Sequence, residues 1–346
     1  MRPEKLKHPG LASAYGRMEA ASALPLWEIY DALVAFEPSP AGVPHLWQWA
    51  EMRPLLMEAG SAISAEEAER RVVALKNPGL ERPGIAQTLF AGLQMVLPGE
   101  VAPAHRHSQA AIRLVLESDA GYTAVEGERC TMARGDFITT PSWTWHDHEN
   151  TGAGPMIWLD GLDVPLVNFF GARFAEENPA DQQPIHRPDD ASVLRWGSGM
   201  RPFETGHHRP HSPVFSYPYD RARAALDDLA KGAPDPHHGY KLTYSNPLDG
   251  GHVLPTIAAF LQLLPRGQRT RPWRSTEASV FAVLEGRGRA TIGTAEFDFV
   301  PNDIFVAPNW TSVALAAQDD VVLFSFSDRA AQERLGIWRS ERLDET

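Results

Sequence analysis

The pattern of apolar and polar residues divides the chain into a helical beginning and two β-rich stretches. Apolar residues recur at helical spacing over residues 12–38 and 43–60. Ser64 then begins the segment SAEEAERR, in which Glu67 stands three residues on, as in a capping box. We therefore predict a helical N-terminal region over residues 1–85, with a short helix that starts after Ser64 and ends near Val72.

Short apolar runs separated by turn residues occupy residues 86–177 and predict a first β-barrel. The runs are LFAGLQMVL, AIRLVLE, GYTAVEG, GDFITTP and PMIWLDG, with Gly, Pro, Asp or Glu between them. We predict a linker over residues 178–250, because residues 178–218 are rich in Pro, His and Asp and lack periodicity, which is typical of a surface connection. Within it, residues 219–231 predict a helix that ends at Gly232.

The second β-rich stretch is an internal repeat of the first. LQMVLPGEVAPAHRHSQ, which starts at Leu93, aligns with LQLLPRGQRTRPWRSTE, which starts at Leu261. GDFITTPSWTWH likewise aligns with NDIFVAPNWTSV. We predict a second barrel over residues 251–330 and a C-terminal tail over residues 331–346.

Composition and charge limit the classes of function. The 346 residues carry a formal net charge of −12, which disfavours general affinity for nucleic acid or an anionic membrane, since both require clustered Lys and Arg. Cys130 is the only cysteine, so no intramolecular disulfide can form. The sequence has no apolar segment typical of a signal peptide or a membrane span. We expect a cytoplasmic protein without a nucleic-acid or membrane partner.

Three histidines of the first β-rich stretch have the spacing of a metal site. His105 and His107 are two positions apart, so a strand directs both side chains to one face and Arg106 to the other. His146 lies on a second apolar strand after Pro141, and pairing of the two strands brings it to the same point. We predict that these three imidazoles hold one metal ion.

The repeat carries none of these ligands. The corresponding positions of the second barrel are Trp273, Ser275 and Val313. We predict that the second barrel is structural and binds no metal in this way.

Histidines of the linker have a different interpretation. They lie among Pro, Gly and Arg, and adjacent histidines point apart in a strand. We predict solvated loops rather than a second metal site for His207, His208, His211, His237 and His238.

The spacing around the metal-site histidines resembles the two motifs of the cupin superfamily. Gly99 begins the first motif, which is Gly, five residues and His-x-His, and Gly135 begins the second, which runs through Pro141 to His146. The common pattern also has a Glu ligand four or five residues beyond the His-x-His pair, where this chain has Ala and Ile. The resemblance implies a mainly β fold of two cupin (double-stranded β-helix, jelly-roll) barrels and a three-histidine site without a carboxylate.

The segments HRHSQAAIR, GDFITTPSWTWHDH and WLDGLD closely resemble the gentisate 1,2-dioxygenase family, whose relatives act on salicylate and 1-hydroxy-2-naphthoate. The resemblance implies an Fe(II)-dependent, extradiol-type dioxygenase with an iron-bearing first cupin, an inert second cupin and a homotetrameric assembly. Its substrates would be a small aromatic hydroxy acid and O2. O2 would be inserted between the carboxyl-bearing and hydroxyl-bearing carbons of a 2-hydroxybenzoate, converting gentisate, the first expectation, to maleylpyruvate.

Two side chains near the histidines are candidate catalytic residues by strand parity. Arg113 lies six residues past His107 and shares its face, so that its guanidinium can pair with a substrate carboxylate. His148 lies two residues past His146 and is a candidate hydrogen-bond donor to substrate or to reduced oxygen.

The resemblance adds further candidates. Gln94 and Asp160 stand where related dioxygenases have polar pocket residues, and Asp160 is expected to accept a hydrogen bond from a 5-hydroxyl. Either Arg70 or Arg71 could reach over the mouth of the barrel, and the sequence does not choose between them.

Two other classes of function are left open. One is a metal-dependent cupin isomerase or hydrolase, in which zinc or manganese acts as a Lewis acid and no O2 is consumed. The other is a non-catalytic module that senses an aromatic acid, which is disfavoured because the sequence has no basic DNA-reading helix. Salicylate and 1-hydroxy-2-naphthoate remain alternatives to gentisate, because all three have the same carboxylate and adjacent hydroxyl.

Overall fold

The computed structural model describes residues 11–68, 70–198, 200–203 and 210–344. These residues form a mainly β structure, as the sequence predicts. The helices in this part of the chain are α1 (Leu11–Ala20), α2 (Leu26–Leu33), α3 (Trp49–Ala62), α4 (Ala65–Ala68), α5 (Val164–Phe169), α6 (Ala191–Trp196), α7 (Tyr219–Leu229) and α8 (Arg329–Arg334).

The chain divides into two compact units, Met1–Ser39 and Pro40–Thr346. The described part of the first unit holds α1 and α2. The Tyr15 hydroxyl donates to Glu28 Oε1 at 2.8 Å, and the Trp27 indole donates to the Tyr15 oxygen at 3.0 Å. These bonds link the two helices to each other.

The first barrel consists of two antiparallel sheets. Its strands are β2 (Val72–Ala74), β3 (Phe90–Val96), β4 (Val101–His107), β5 (Ala111–Glu117), β6 (Tyr122–Val125), β7 (Glu128–Thr131), β8 (Phe137–Thr140), β9 (His146–Glu149), β10 (Met156–Leu162), β11 (Ala175–Glu177) and β12 (Ser216–Tyr217). One sheet has the order β12-β8-β5-β10-β3-β2, and the other has the order β11-β4-β9-β6-β7.

The second barrel repeats this arrangement. Its strands are β1 (His45–Trp47), β13 (Tyr240–Thr243), β14 (Ala258–Leu264), β15 (Trp273–Ser275), β16 (Ser279–Glu285), β17 (Gly288–Ile292), β18 (Ala295–Phe299), β19 (Ile304–Ala307), β20 (Val313–Ala317), β21 (Val321–Ser327) and β22 (Ser340–Arg342). The sheet orders are β1-β19-β16-β21-β14-β13 and β18-β17-β20-β15-β22.

Strand parity decides which side chains enter the first barrel. On β5, Ile112 and Leu114 belong to an apolar core that also contains Ala259 and Leu261 of β14, so this face packs against the second barrel. Val115 belongs instead to the cluster inside the first barrel. Arg113 shares the parity of Val115, and its side chain is 4% exposed. The apolar contact between the barrels therefore directs Arg113 inward.

A cation–π contact and an ion pair fix the outer face of β4. The Arg106 guanidinium lies 4.7 Å from the Trp143 ring centroid, and Arg106 Nη2 lies 2.6 Å from Glu176 Oε2 on β11. Trp143 has a left-handed backbone, with φ of 62°, and its N–H donates to the His107 carbonyl at 2.8 Å. We call Arg106, Trp143 and Glu176 the aromatic clamp of the first barrel.

The second barrel has a matching aromatic clamp, formed by Arg274, Trp310 and Glu341. The Arg274 guanidinium lies 4.5 Å from the Trp310 ring centroid, and its Nε lies 2.7 Å from Glu341 Oε2 on β22. Trp310 is also left-handed, with φ of 56°, and its N–H donates to the Ser275 carbonyl at 2.6 Å. The clamp is therefore a feature of the barrel fold itself, because the second barrel has it without the metal-site histidines.

The structure corrects several local expectations. Within the helical pattern over residues 43–60, β1 forms a strand, because His45–Trp47 completes the edge of the second barrel by pairing with β19. The helix after Ser64 is short: the capping box forms, with the Glu67 N–H donating to Ser64 Oγ at 3.1 Å, but α4 already ends at Ala68.

The linker lies only partly on the surface. It contains α6 and β12 and places Phe215 in the apolar cluster inside the first barrel, where the aromatic ring fills space. The predicted helix at 219–231 is confirmed as α7. His237 is buried and its Nδ1 lies 3.0 Å from the Pro272 carbonyl oxygen, so its predicted solvation is wrong. His207 and His208 lie outside the described residues.

Helices of the described ranges are all too short or too polar to cross a bilayer.

Candidate metal centre and polar pocket of the first barrel

The structure brings His105, His107 and His146 together inside the first barrel. His105 on β4 is the direct cross-strand partner of His146 on β9, and the two ring centroids are 4.2 Å apart. The His107 ring centroid lies 5.2 Å from that of His105 and 4.9 Å from that of His146. One ligand nitrogen from each ring falls within 4.8 Å of the others, and no other metal-binding group of three was found among the residues that the structure describes.

Backbone carbonyls orient two of the three imidazoles. His107 Nδ1 lies 2.8 Å from the Gln109 carbonyl oxygen, and His146 Nδ1 lies 3.0 Å from that of Thr144. A carbonyl only accepts, so Nδ1 carries the proton in both rings and Nε2 keeps its lone pair. His146 Nε2 is buried and has no hydrogen-bond partner among the described residues. An orphaned ring nitrogen of this kind fits a metal ligand.

His105 has two competing neighbours at Nδ1. The Pro103 carbonyl oxygen lies 3.3 Å away, and the Arg70 guanidinium contacts both this nitrogen and the same carbonyl. Arg70 can only donate, whereas Pro103 can only accept. A ligating Nε2 requires the tautomer in which His105 donates to Pro103.

The electrostatics of the site favour neutral imidazoles at His107 and His146. Burial lowers the pKa of His107 to about 4, with repulsion from Arg113 and Arg70 adding to the effect. Burial, followed by repulsion from Arg113, also holds the pKa of His146 well below its usual range. Neutral imidazole is the form that binds a metal ion, so the three side chains fit a divalent cation with nitrogen ligands.

Arg113 and Asp160 form a buried ion pair in the wall of the same barrel. They are direct partners on β5 and β10, and Arg113 Nε lies 3.4 Å from Asp160 Oδ1. Arg113 Nη1 donates to Thr140 Oγ1, and the Trp158 indole donates to Asp160 Oδ1 at 2.9 Å. Burial raises the pKa of Asp160 to about 6, although the charge of Arg113 opposes this shift.

His148 lies on β9 beside the triad, with its ring centroid 6.0 Å from that of His146. Its Nδ1 is 2.8 Å from the hydroxyl oxygen of Thr123, its cross-strand partner on β6. That hydroxyl is also 3.2 Å from the Met132 sulfur, which is a weaker acceptor than a ring nitrogen. Thr123 therefore favours donation to Nδ1, which leaves a proton on Nε2. This Nε2 is buried and has no partner among the described residues.

Gln94 lies on β3 opposite Trp158, is 3% exposed, and has an Nε2 without a hydrogen-bond partner among the described residues.

The adjacent residues Arg70 and Arg71 have different contacts. Arg70 contacts His105, whereas Arg71 pairs with Glu100, away from the triad. Of the two, Arg70 is the one near the candidate metal centre.

Sequence reasoning did not identify the residues that support these side chains, namely Thr123, Thr140 and Trp158. The sequence does indicate that Trp158 lies near Asp160, because it stands two residues before Asp160 and shares its face of β10. No local pattern indicates the contacts of the two threonines, since strand register sets their partners.

The second barrel has no metal-ligating side chains at the positions that correspond to the three histidines. Trp273 is the direct cross-strand partner of Val313, as His105 is of His146. Ser325 lies opposite Phe260 of β14. In the first barrel the corresponding pair is Asp160, which lies opposite Gly92 of β3. The predicted loss of the ligands therefore agrees with the strand register.

The chain is similar to several known proteins. Residues 92–163 match the family model for the cupin domain. The chain is 48% identical over 330 residues to gentisate 1,2-dioxygenase 1 of Aquipseudomonas alcaligenes, with 95% of each protein covered. It is 38% identical to 5-aminosalicylate 1,2-dioxygenase of Comamonas sp., with 94% of this chain and 88% of the relative covered. The crystal structure of a salicylate 1,2-dioxygenase variant from Pseudoaminobacter salicylatoxidans in complex with gentisate superposes with a TM-score of 0.91 at 31% identity, over 100% of this chain and 97% of the other.

Proposed function

The chain belongs to the gentisate 1,2-dioxygenase family, and on that premise we propose that it is an Fe(II)-dependent, extradiol-type dioxygenase that opens the ring of a 2-hydroxybenzoate. O2 is inserted between the carboxyl-bearing and hydroxyl-bearing carbons. Gentisate is the first candidate substrate, with maleylpyruvate as the product. The observation that carries this proposal is the convergence of three histidines beside one inward arginine.

His105, His107 and His146 are the residues that would hold the iron. Three nitrogen ligands without a carboxylate suit a divalent transition metal and leave coordination positions for other molecules. Fe(II), when bound, supplies the electron-transfer chemistry that allows O2 to react with an aromatic ring.

Arg113 binds the substrate carboxylate in this proposal. A guanidinium matches a carboxylate in a bidentate fork, and burial strengthens the attraction. Asp160 supports that arrangement by holding Arg113 Nε from across the strand pair. The other oxygen of Asp160, Oδ2, has no hydrogen bond with a described residue. In this proposal it accepts a hydrogen bond from the 5-hydroxyl of gentisate.

His148 donates a proton or hydrogen bond from Nε2 to substrate or to reduced oxygen, since Thr123 directs the other nitrogen. Gln94 donates from its unpaired amide to an oxygen of the substrate. Arg70 adds a second positive charge at the triad and draws an anionic substrate towards it.

Oxygen uptake with three substrates tests the proposal. The protein is loaded anaerobically with Fe(II) and then mixed with aerated gentisate, salicylate or 1-hydroxy-2-naphthoate, while O2 consumption and the near-ultraviolet absorbance of a ring-opened product are recorded. We expect one O2 per product, with gentisate fastest. A higher rate with either alternative would change the named substrate. No uptake by iron-loaded protein with any of the three would favour an oxygen-independent isomerase or hydrolase.

We also propose that the enzyme is a cytoplasmic homotetramer. Exposed aromatic side chains at Phe169, Phe170 and Phe174 support association, because exposed apolar patches commonly mark interfaces. Sedimentation equilibrium would give four times the chain mass of 38.2 kDa, and a monomer would contradict the assembly.

A further inference from the structure

A cavity of about 330 Å³ opens on the second barrel, beside the counterpart of one of the three histidines. Trp273, the counterpart of His105, lines it together with Phe260, the counterpart of Gly92. Lys241, Glu277, Arg329 and Trp338 also lie in its wall. The size is at the lower end of small-molecule sites, so the cavity suits a small ligand.

Lys241 gives this cavity an ammonium group that has no polar partner in the part of the chain that the structure describes. It lies on β13, and its Nζ is 4.6 Å from the Phe260 ring centroid and 5.4 Å from that of Trp273. No hydrogen bond or ion pair joins Lys241 to any residue in the described ranges. Burial lowers the pKa of Lys241 to about 8, with Glu277 opposing the shift, so the group remains mainly cationic at pH 7.

The other cations of the wall are already paired. Arg329 Nε lies 2.7 Å from Glu333 Oε1, and Arg342 Nη2 lies 2.7 Å from Asp235 Oδ2. Lys241 is therefore the cation in this wall that is left for an anionic ligand.

Glu277 supplies an acceptor in the same wall. Ser327 donates to its Oε2, and Ser275 Oγ donates to its Oε1 at 3.2 Å, so both oxygens are held in place. Glu277 as a whole residue is 6% exposed. A ligand hydroxyl can donate to a lone pair that the serines leave unused.

We propose that the second barrel binds a small aromatic hydroxy acid without a metal ion. The ligand carboxylate pairs with Lys241, its hydroxyl donates to Glu277, and its ring lies against Trp273 and Phe260. The chain then has two sites for related acids, one that cleaves the ring in the first barrel and one that only binds in the second.

Isothermal titration calorimetry with gentisate under anaerobic conditions tests this proposal on the Fe(II)-loaded, full-length protein. We expect two gentisate molecules per chain. Lys241→Gln should weaken one of the two binding events roughly tenfold or more, because a charge-assisted hydrogen bond is lost. Lys231→Gln is the matched control: Lys231 is exposed and pairs with Asp228, so two events of unchanged affinity should remain.

A second variant separates this site from the proposed catalytic site. In His105→Ala, binding that depends on Lys241 should persist whether or not the first barrel cleaves rings. Benzoate, which lacks the hydroxyl, should bind there more weakly than salicylate, and Glu277→Gln should reduce that difference. Loss of all gentisate binding in a folded His105→Ala variant overturns the proposal even if Lys241→Gln fails to fold, as do unchanged gentisate affinities in a folded Lys241→Gln variant.

Discussion

Arg113 and Asp160 face each other across β5 and β10 and bring opposite charges together inside the first barrel, with Arg113 Nε 3.4 Å from Asp160 Oδ1. The pair is almost fully buried, with side chains 4% and 6% exposed. Removal of either partner would leave an uncompensated charge in a low-dielectric site. Arg113 is therefore held in position by the fold before any substrate arrives.

Substitution of Arg113 tests its proposed contact with the substrate carboxylate. We expect Arg113→Met to lower kcat/KM for gentisate by at least about thirtyfold, mostly through KM, because truncation of a buried charge partner costs about 2 kcal/mol or more. Steady-state oxygen uptake measures the change. Arg289→Met, which removes an exposed arginine of the second barrel, is the matched control. Equal kinetics for both variants would disprove the contact.

Metal content distinguishes the triad from the other histidines. His105→Ala should lose both bound iron and turnover, because two imidazoles are left where three converge. His237→Ala removes a buried imidazole that bonds the Pro272 carbonyl, and it should retain iron while losing about 1 kcal/mol of stability. Elemental analysis of the Fe(II)-loaded proteins provides the measurement. Full iron occupancy in His105→Ala would contradict the triad.

Asp163 should make stability depend on pH. Burial raises its pKa to about 6, although Thr256 and the Ala110 N–H donate to it. Since the native state holds this proton more tightly than the unfolded state, the stabilisation is fully present below about pH 4 and is lost as pH rises through about 6. The native state should lose about 2 kcal/mol relative to Asp163→Asn across this interval.

Urea unfolding of both proteins at several pH values between 4 and 7 measures this difference. Parallel stability curves for the wild-type protein and Asp163→Asn would show that Asp163 does not titrate in this way.

The two aromatic clamps should contribute similarly to stability. Arg106→Ala removes cation–π contacts with Trp143 and Trp145 and one partly exposed ion pair, whereas Arg274→Ala removes one cation–π contact and one such ion pair. We expect each variant to lose about 1 kcal/mol of stability. Denaturant unfolding compares them. A loss confined to Arg106→Ala would mean that the clamp serves the metal site instead of the fold.

The sequence predicts the strands and the meeting of the histidines because both depend on strand periodicity. Residues 105 and 107 share a face through alternation alone, and the mainly β fold with a duplicated barrel follows from repeated apolar runs. The same reasoning directs Arg113 inward. Its partner Asp160 was expected in the pocket from family resemblance, without the ion pair between them.

Contacts that depend on tertiary register could not be read from the sequence. His45–Trp47 has a helical apolar pattern, yet pairing with β19 makes it a strand. Phe215 lies in a segment without periodicity, and only the completed barrel gives its ring a place inside. The choice of Arg70 over Arg71 depends on the path of the chain after α4, which no local pattern encodes.

Isotope labelling tests the proposed chemistry most directly. The Fe(II)-loaded protein would turn over gentisate under ¹⁸O2, and mass spectrometry would count the labelled oxygens in the ring-opened product. The account predicts that both atoms of one O2 molecule are incorporated, after allowance for exchange with water. A product without label would contradict dioxygenase chemistry and indicate an oxygen-independent reaction at the three histidines.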